Sequence, residues 1–298
     1  MKDNIVITGA TGFVGSNLTA HLLNLNYKIH LIVRPNSDLT YLNVNNSSLK
    51  IFKYDNNLNS LISFFKETNP ICTFHLASNY ITEHNSSQID GLISSNITFG
   101  LHLLEAMKEA KIKALINTGT SWQHFNNDEY NPVNLYAATK QAFESLIEYY
   151  VQAEAFKVIT LKLYDTYSET DRRPKLINLL NQYSKNNTEL KLTPGDQILN
   201  LVHMDDLCRA FEIAMTLIPK DEKGVHKKFV VKHTKSYSLK EIINIFEKVS
   251  KRQLNIIWGV KPYRKREVMQ LWDKGIGLPN WKPSINIEEG FQKLKNFI

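Results

Sequence analysis

Along the first half of the chain, short apolar runs alternate with stretches in which apolar residues recur every three or four positions. Asn4-Ile5-Val6-Ile7-Thr8 is such a run, and Leu18, Leu22 and Leu23 behind it have helical spacing. A strand followed by a helix is predicted. The alternation continues with strands at Tyr27–Val33, Leu49–Tyr54, Ile71–Leu76, Ala114–Asn117 and Lys157–Leu163. Between them lie helical patterns through Leu58, Leu61, Ile62 and Phe65, from Ile89 to Ala110, and from Leu135 to Ala153. Parallel neighbours need long crossovers, which helices supply, so this order predicts an α/β fold with a Rossmann-like, doubly wound parallel sheet.

After Leu163 the pattern loosens. A helix runs to about Tyr183, a polar stretch ends at Pro194-Gly195, and a short strand at Leu199–Val202 leads into a helix over Asp205–Leu217. A strand at Lys228–Val231 and helices at Ser238–Val249 and Asn286–Phe297 follow, with irregular aromatic segments around Trp258, Tyr263, Trp272 and Trp281. No repeat or low-complexity linker divides the chain. The expected organisation is a parallel-sheet lobe over 1–165, to which 199–217 returns, and a smaller α/β lobe made of 166–198 and 218–298.

Composition changes this picture little. With 298 residues, 43% of them apolar, the chain can bury a sizeable core. No apolar run approaches the roughly 20 residues that span a bilayer, and Ile5–Ile7 is too short for a signal sequence. A cytoplasmic protein without a membrane partner is expected. Cys72 and Cys208 lie in apolar segments without metal-ligand spacing, so free buried thiols and no metal are expected. The net charge of +7 comes from abundant lysine, which a solvated surface explains. The clusters Arg172-Arg173-Pro174-Lys175 and Arg264-Lys265-Arg266 lack the length and interleaved aromatics of a nucleic-acid groove. They suit a phosphate-bearing small molecule instead.

The candidate chemistry begins at Gly9-Ala10-Thr11-Gly12-Phe13-Val14-Gly15, between the first strand and the first helix. There Gly9 allows a tight turn, Gly12 lets backbone approach a pyrophosphate, and Gly15 lets the helix pack closely on the sheet. Arg34, at the end of the second strand, inclines the site towards the 2′-phosphate of NADP(H), with NAD(H) as the alternative. Asp55 ends the third strand. At the end of the fourth, Leu76, Ala77 and Ser78 leave room for a ligand, and Asn79 and Tyr80 offer polar contacts. His75 just before them reads as a structural histidine. Thr118-Gly119-Thr120-Ser121 hangs from the fifth strand, where open α/β sheets place their ligands. Tyr136 and Lys140 share one helix face, so the ammonium is expected to favour the ionised phenol and set its proton transfer near neutral pH.

Taken together, these residues resemble the extended short-chain dehydrogenase/reductase family, the NAD-dependent epimerases and dehydratases. Thr8–Gly15 is similar to its TGxxGxxG loop, His75-Leu76-Ala77-Ser78 to its HLAA strand end, and Tyr136 with Lys140 to its catalytic pair. Leu201–Asp206, Trp281-Lys282-Pro283 and Glu288-Glu289-Gly290 resemble its C-terminal landmarks. The resemblance implies that Tyr136 is the acid/base, Lys140 tunes it and holds the nicotinamide ribose, and Thr120 bonds the reacting sugar oxygen. It implies cofactor contacts at Gly9, Thr11, Gly12, Phe13, Val14, Arg34, Asp55, Leu76, Ala77 and Ser78. Substrate contacts are expected at Asn79, Tyr80, Ser121, Trp122, Asp165, Arg172, Arg173, Lys175 and Arg264.

Three departures narrow the expectation. Dehydratases of the family carry an Asp-Glu pair after the threonine, and this chain has Ser121-Trp122. Asp165 stands where many epimerases have asparagine, and Leu199-Asn200 where they have an arginine-aspartate pair, so Arg172, Arg173 or Arg264 is expected to grip the diphosphate. The resemblance then implies an NADPH-dependent nucleotide-4-keto-sugar reductase, with an NAD-dependent 4-epimerase as the alternative and a non-catalytic dinucleotide-binding protein as a third. A homodimer through the helices bearing Ile97 and Tyr136 is also implied.

Overall fold

The computed structural model describes residues 3–186, 188–219 and 221–296. It begins with β1 (Asn4–Thr8), α1 (Phe13–Asn24), β2 (Lys28–Val33), β3 (Leu49–Lys53), α2 (Leu58–Thr68) and β4 (Cys72–His75). Next come α3 (Ile89–Ile93), a π-turn over Ser94–Thr98 and α4 (Phe99–Glu109), which form one nearly continuous helical rod. Then β5 (Ala114–Thr120), α5 (Leu135–Glu154) and β6 (Lys157–Leu163) complete the alternation. The remainder contains β7 (Asp165–Tyr167), α6 (Leu176–Asn186), β8 (Leu190–Lys191), β9 (Ile198–Leu199), β10 (Leu201–His203) and α7 (Met204–Thr216). It ends with β11 (Val225–Val231), β12 (Tyr237–Ser238), α8 (Leu239–Ser250), β13 (Ile256–Ile257) and α9 (Ile287–Asn296).

Among the described residues, seven strands form one sheet in the order β11-β6-β5-β4-β1-β2-β3, and every pairing is parallel. The chain order reverses at β1, which makes the sheet doubly wound. Both faces are covered, so its strands are nearly solid apolar runs: Ile5, Ile7, Leu31 and Phe74 face a core shared with α1 and α7, while Val6, Leu115 and Val158 face one shared with α2, α4 and α5. Residues 199–217 supply α7 to the first of these cores through Leu207, Ala210 and Phe211.

The loosened pattern after Leu163 assigns 218–298 to the smaller lobe, and here the structure differs. Strand β11 pairs with β6 along its whole length, from Val225–Lys157 to Val231–Leu163, and so is an edge strand of the large sheet. Its sequence hides this, because an edge strand keeps one side near solvent and β11 carries His226, Lys227 and Lys228. The smaller lobe has its own core of Ile177, Leu180, Leu239, Ile242, Phe246 and Phe291, which joins α6, α8 and α9. Between the lobes, β7 pairs in parallel with β10, and Tyr167 Oη is in the way of any Cβ at Gly290 of α9. Cys72 and Cys208 are buried free thiols.

Candidate active site

The strand ends of β4, β5 and β6, the first turn of α1 and the start of α5 converge on a cleft of about 220 Å³. Its lining includes Val14, Leu76, Ser78, Tyr80, Thr120, Ser121, Trp122, Tyr136, Asp165, Arg173 and Lys175, all of them predicted from the sequence. Gly9, Thr11, Gly12, Phe13, Arg34, Asp55, Ala77, Asn79, Lys140, Arg172 and Arg264 lie outside that lining.

The glycine loop is shaped by steric need. Gly9 has φ +72° and lies so close to the β4 end that a Cβ would stand 2.5 Å from Ala77 N. At Gly15 a Cβ would collide with the carbonyl oxygen of Gly9. Gly12 differs: it is exposed, and a Cβ there would meet only Gly9 O, at 3.4 Å. It caps α1 without a side-chain bond, so the first amides of that helix face open space with their partial positive charge. Backbone donors, a helix N-terminus and no acid in the first turn fit the pyrophosphate of a nicotinamide dinucleotide.

Arg34 is exposed, and so is Asp55, whose Oδ1 accepts from Asn57 N at 3.3 Å. Arg172 turns away from the cleft and lies over the Tyr41 ring, 4.8 Å from its centroid. His75 is buried and bonds Thr8 Oγ1 at 2.9 Å, and burial pushes it down to about 3. It is a neutral structural group in the sheet.

The loop after β4 is tied to α5 by asparagines. Asn134 caps α5 by accepting from Ala137 N at 2.9 Å and donates to Thr82 O at 2.9 Å. Asn96, in the π-turn, accepts from Asn79 N at 2.6 Å and donates to Thr139 Oγ1 at 2.9 Å. These bonds fix Ser78 and Tyr80 against the helix that carries Tyr136. The Tyr80 ring meets Tyr136 edge to face at 5.0 Å and Trp122 at 5.8 Å.

Tyr136 is pushed up to about 12 by burial, helped by Tyr80 and opposed by Ser78. This corrects the expectation of an ionised phenol near neutral pH. Lys140 is itself buried, and its Nζ is directed to Thr118 Oγ1, at 3.4 Å. Burial pulls Lys140 down to about 8, with Glu144 opposing. The pair stand one turn apart on α5, but the Lys140 ammonium turns to Thr118 and does not offset the desolvation of the phenol. Tyr136 therefore holds its proton across the physiological range.

Thr120 Oγ1 accepts from Trp122 N at 3.2 Å, which leaves its own proton free to be donated into the cleft. Asp165 lies near Lys175, Arg264 and Arg173, which oppose a rise caused by burial. Arg173, however, is held bidentately by Asp171, with Nε–Oδ1 and Nη2–Oδ2 both 2.8 Å, and also donates to Thr166 O. Arg264 is held in the same way by Glu267, at 3.0 and 2.5 Å, and lies over Trp122 at 5.4 Å. Two of the arginines expected to grip a diphosphate thus already carry carboxylate partners. Lys175 instead sits 4.1 Å from the Tyr80 centroid. Thr118, Tyr164, Thr166 and Asp171 also line the cleft, as does Tyr167. Only Thr118 stands in a segment with a strand-end motif, and the others follow β6 in a stretch with no spacing to mark them.

A parallel sheet with a glycine loop after its first strand, Thr120 at the end of β5 and Tyr136 and Lys140 on α5 defines a dinucleotide-dependent oxidoreductase of the Rossmann type. The model of the NAD dependent epimerase/dehydratase family matches residues 5–230, and the chain belongs to that family. It is an NAD(P)-dependent enzyme of the extended short-chain dehydrogenase/reductase type. A CDP-abequose synthase of Yersinia pseudotuberculosis is 27% identical over 297 residues, covering 99% of this chain and 97% of its own. A UDP-glucuronate 4-epimerase of Thermodesulfobacterium geofontis is 24% identical, covering 98% of this chain and 95% of its own. The solved UDP-glucose-4-epimerase of Stenotrophomonas maltophila, with bound NAD and formylated UDP-arabinopyranose, superposes with a TM-score of 0.87 at 14% identity. That superposition covers 99% of this chain and 97% of the other. Among the described residues, no helix is long and apolar enough to cross a membrane, and no group of His, Cys, Asp and Glu could hold a metal ion.

Proposed function

We propose that this enzyme reduces a nucleotide-linked 4-keto-6-deoxy sugar with NADPH, in the synthesis of bacterial surface-polysaccharide precursors. The observation that carries the reading is a cleft lined by Thr120 and by Tyr136, whose phenol burial keeps protonated, with Ser121-Trp122 in place of a second acid and base. A site with one proton donor suits reduction of a carbonyl, which consumes one proton at oxygen. Water elimination needs more. The likeness to a CDP-abequose synthase over nearly the full length supports a nucleotide sugar, and a CDP-linked one before the dTDP- or GDP-linked alternatives.

In this mechanism Tyr136 Oη donates its proton to the carbonyl oxygen while the Thr120 hydroxyl donates a hydrogen bond to the same oxygen. Lys140 keeps a positive charge behind the phenol and holds the nicotinamide ribose. The Gly12 N–H is taken by Gly9 O at 3.1 Å, so the amides of Phe13 and Val14 would receive the pyrophosphate; Leu76, Ala77 and Ser78 would border the cofactor, and Arg34 would favour the 2′-phosphate. When bound, the dinucleotide supplies hydride to the carbonyl carbon. Tyr80, Trp122 and Asp165 bound the sugar, and Lys175 is the cation for its phosphates. The enzyme works as a cytoplasmic homodimer in this reading, with Ile93 and Tyr149 exposed on the helices that would meet.

The test is NADPH oxidation with CDP-, dTDP- and GDP-linked 4-keto-6-deoxyhexoses. Turnover of at least one is expected, and none across all three would overturn the proposal. A 4-epimerase is the second reading, favoured by the likeness to UDP-glucuronate 4-epimerase. It predicts protein purified with NAD held in place, whereas a reductase exchanges its cofactor freely.

A further inference from the structure

Behind the cleft, the loop carrying Thr120 and the helix carrying Tyr136 and Lys140 are joined by one buried amide. Gln123 is fully buried. Its Oε1 accepts from Thr120 N at 2.9 Å, and its Nε2 donates to Glu144 Oε1 at 2.8 Å and to Gln141 Oε1 at 2.6 Å. Glu144 stands on α5 one turn beyond Lys140 and two beyond Tyr136. We propose that Gln123 is a positioning residue, holding Thr120 in register with Tyr136 and Lys140 by bridging the β5 strand end to Glu144 on α5.

Three observations support a built contact. A Cβ on Gly119 would come within 2.8 Å of Glu144 Oε1 and 2.9 Å of Gln123 Oε1, so the backbone between Thr118 and Thr120 is pressed directly onto the bridge. Gln123 accepts through oxygen and donates through nitrogen, an orientation set by a backbone N–H on one side and a carboxylate on the other. Glu144 is buried and lies 3.5 Å from Lys162 on β6 and 3.7 Å from Lys228 on β11. Lys140 on α5, His124 on the loop and His226 on β11 also feel its charge. Lys162 and Lys228 hold the Glu144 carboxyl in place, and the amide carries its position to the Thr120 backbone.

The inference rests on the assignment of Thr120, Tyr136 and Lys140 to catalysis. The test compares Gln123→Leu, which makes none of the three bonds, with Gln123→Glu, which keeps those to Thr120 N and Glu144 only while its carboxyl is protonated beside Glu144 and has no second donor for Gln141. Amide hydrogen exchange across 118–123 needs no substrate. Gln123→Leu should raise it at Thr120 by about 10-fold or more, because an amide freed from its bond exchanges from a less protected state. With NADPH and a CDP-linked 4-keto-6-deoxyhexose, Gln123→Leu should lower kcat by roughly 10- to 100-fold with KM for NADPH little changed. Relative to wild type at the same pH, Gln123→Glu should approach full turnover near pH 5.5 and fall towards the leucine variant by about pH 7.5, below the Lys140 limb, a change in ratio that loss of packing does not produce. Should the leucine variant fail to fold, the glutamate variant decides alone. Unchanged exchange at Thr120, or a Gln123→Glu profile parallel to wild type, overturns the bridge. Normal turnover in Thr120→Val and Tyr136→Phe would instead overturn the catalytic assignment, leaving the exchange result to judge the bridge.

Discussion

Val14 of the glycine loop and Arg173 of the segment after β7 line the same cleft, but the stretches that carry them are built differently. From Gly9 to Gly15 the shape comes from backbone pressed on backbone, with no side chain deciding it. From Asp165 to Leu176 it comes from charges that satisfy one another, with Arg173 on Asp171 and Arg264, from farther along the chain, on Glu267. A glycine forced by contact has one reading. An arginine in a cluster has two, ligand grip or internal pair, and local sequence does not separate them.

Four predictions sharpen that contrast. The largest effect belongs to the residue both stretches serve: Tyr136→Phe should lower kcat by roughly 100- to 10,000-fold, as loss of a general acid does, with substrate KM little changed. Next, Gly9→Ala forces a side chain onto φ +72° and into Ala77, and should cost about 1–3 kcal/mol of stability by thermal melting and raise KM for the dinucleotide. On the other side, Lys175→Ala should raise substrate KM by about 10-fold at unchanged melting temperature. Arg173→Ala, which strands the buried Asp171, should instead cost about 1–3 kcal/mol of stability. If Arg173→Ala moved KM alone, the paired-charge description would fail.

The smallest effect is one of pH. Lys140 is charged below about 8 and neutral above it, while the Tyr136 phenol stays protonated up to about 12. The kcat for reduction should therefore fall as pH rises through about 8, when the ammonium is lost, and show no further loss from the phenol before about 12. A Lys140→Met variant should lack that limb. A limb that persists in it would assign the titration to another group.

Much of this was legible in the sequence because the first half of the chain is built from local rules. The inner strands β1, β2, β4, β5 and β6 are largely buried and read as apolar runs, and Gly9 and Gly15 of the loop each answer to backbone packed against them. A strand was expected at Lys228–Val231, but its start at Val225 and its place beside β6 were not, because an edge strand bearing His226, Lys227 and Lys228 has no such run. Tyr136 and Lys140 could be placed on one face by their spacing, but not their proton affinities. Those depend on how much water the Tyr80 ring and the sheet exclude, and on where Lys140 finds Thr118. Gln123 and Glu144 gave no signal as a pair: they are 21 residues apart and meet only because β5 and α5 are packed together.

The central claim is that the enzyme delivers one hydride to a sugar carbonyl and releases its oxidised cofactor. It is tested most directly by incubating the enzyme with NADPH deuterated at C4 of the nicotinamide and a CDP-linked 4-keto-6-deoxyhexose, then locating the label. The account predicts one deuterium at C4 of the product sugar for each NADP+ released, with the rate of labelling in Tyr136→Phe lowered by the same roughly 100- to 10,000-fold as kcat. Product formed without label and without NADP+ would contradict it.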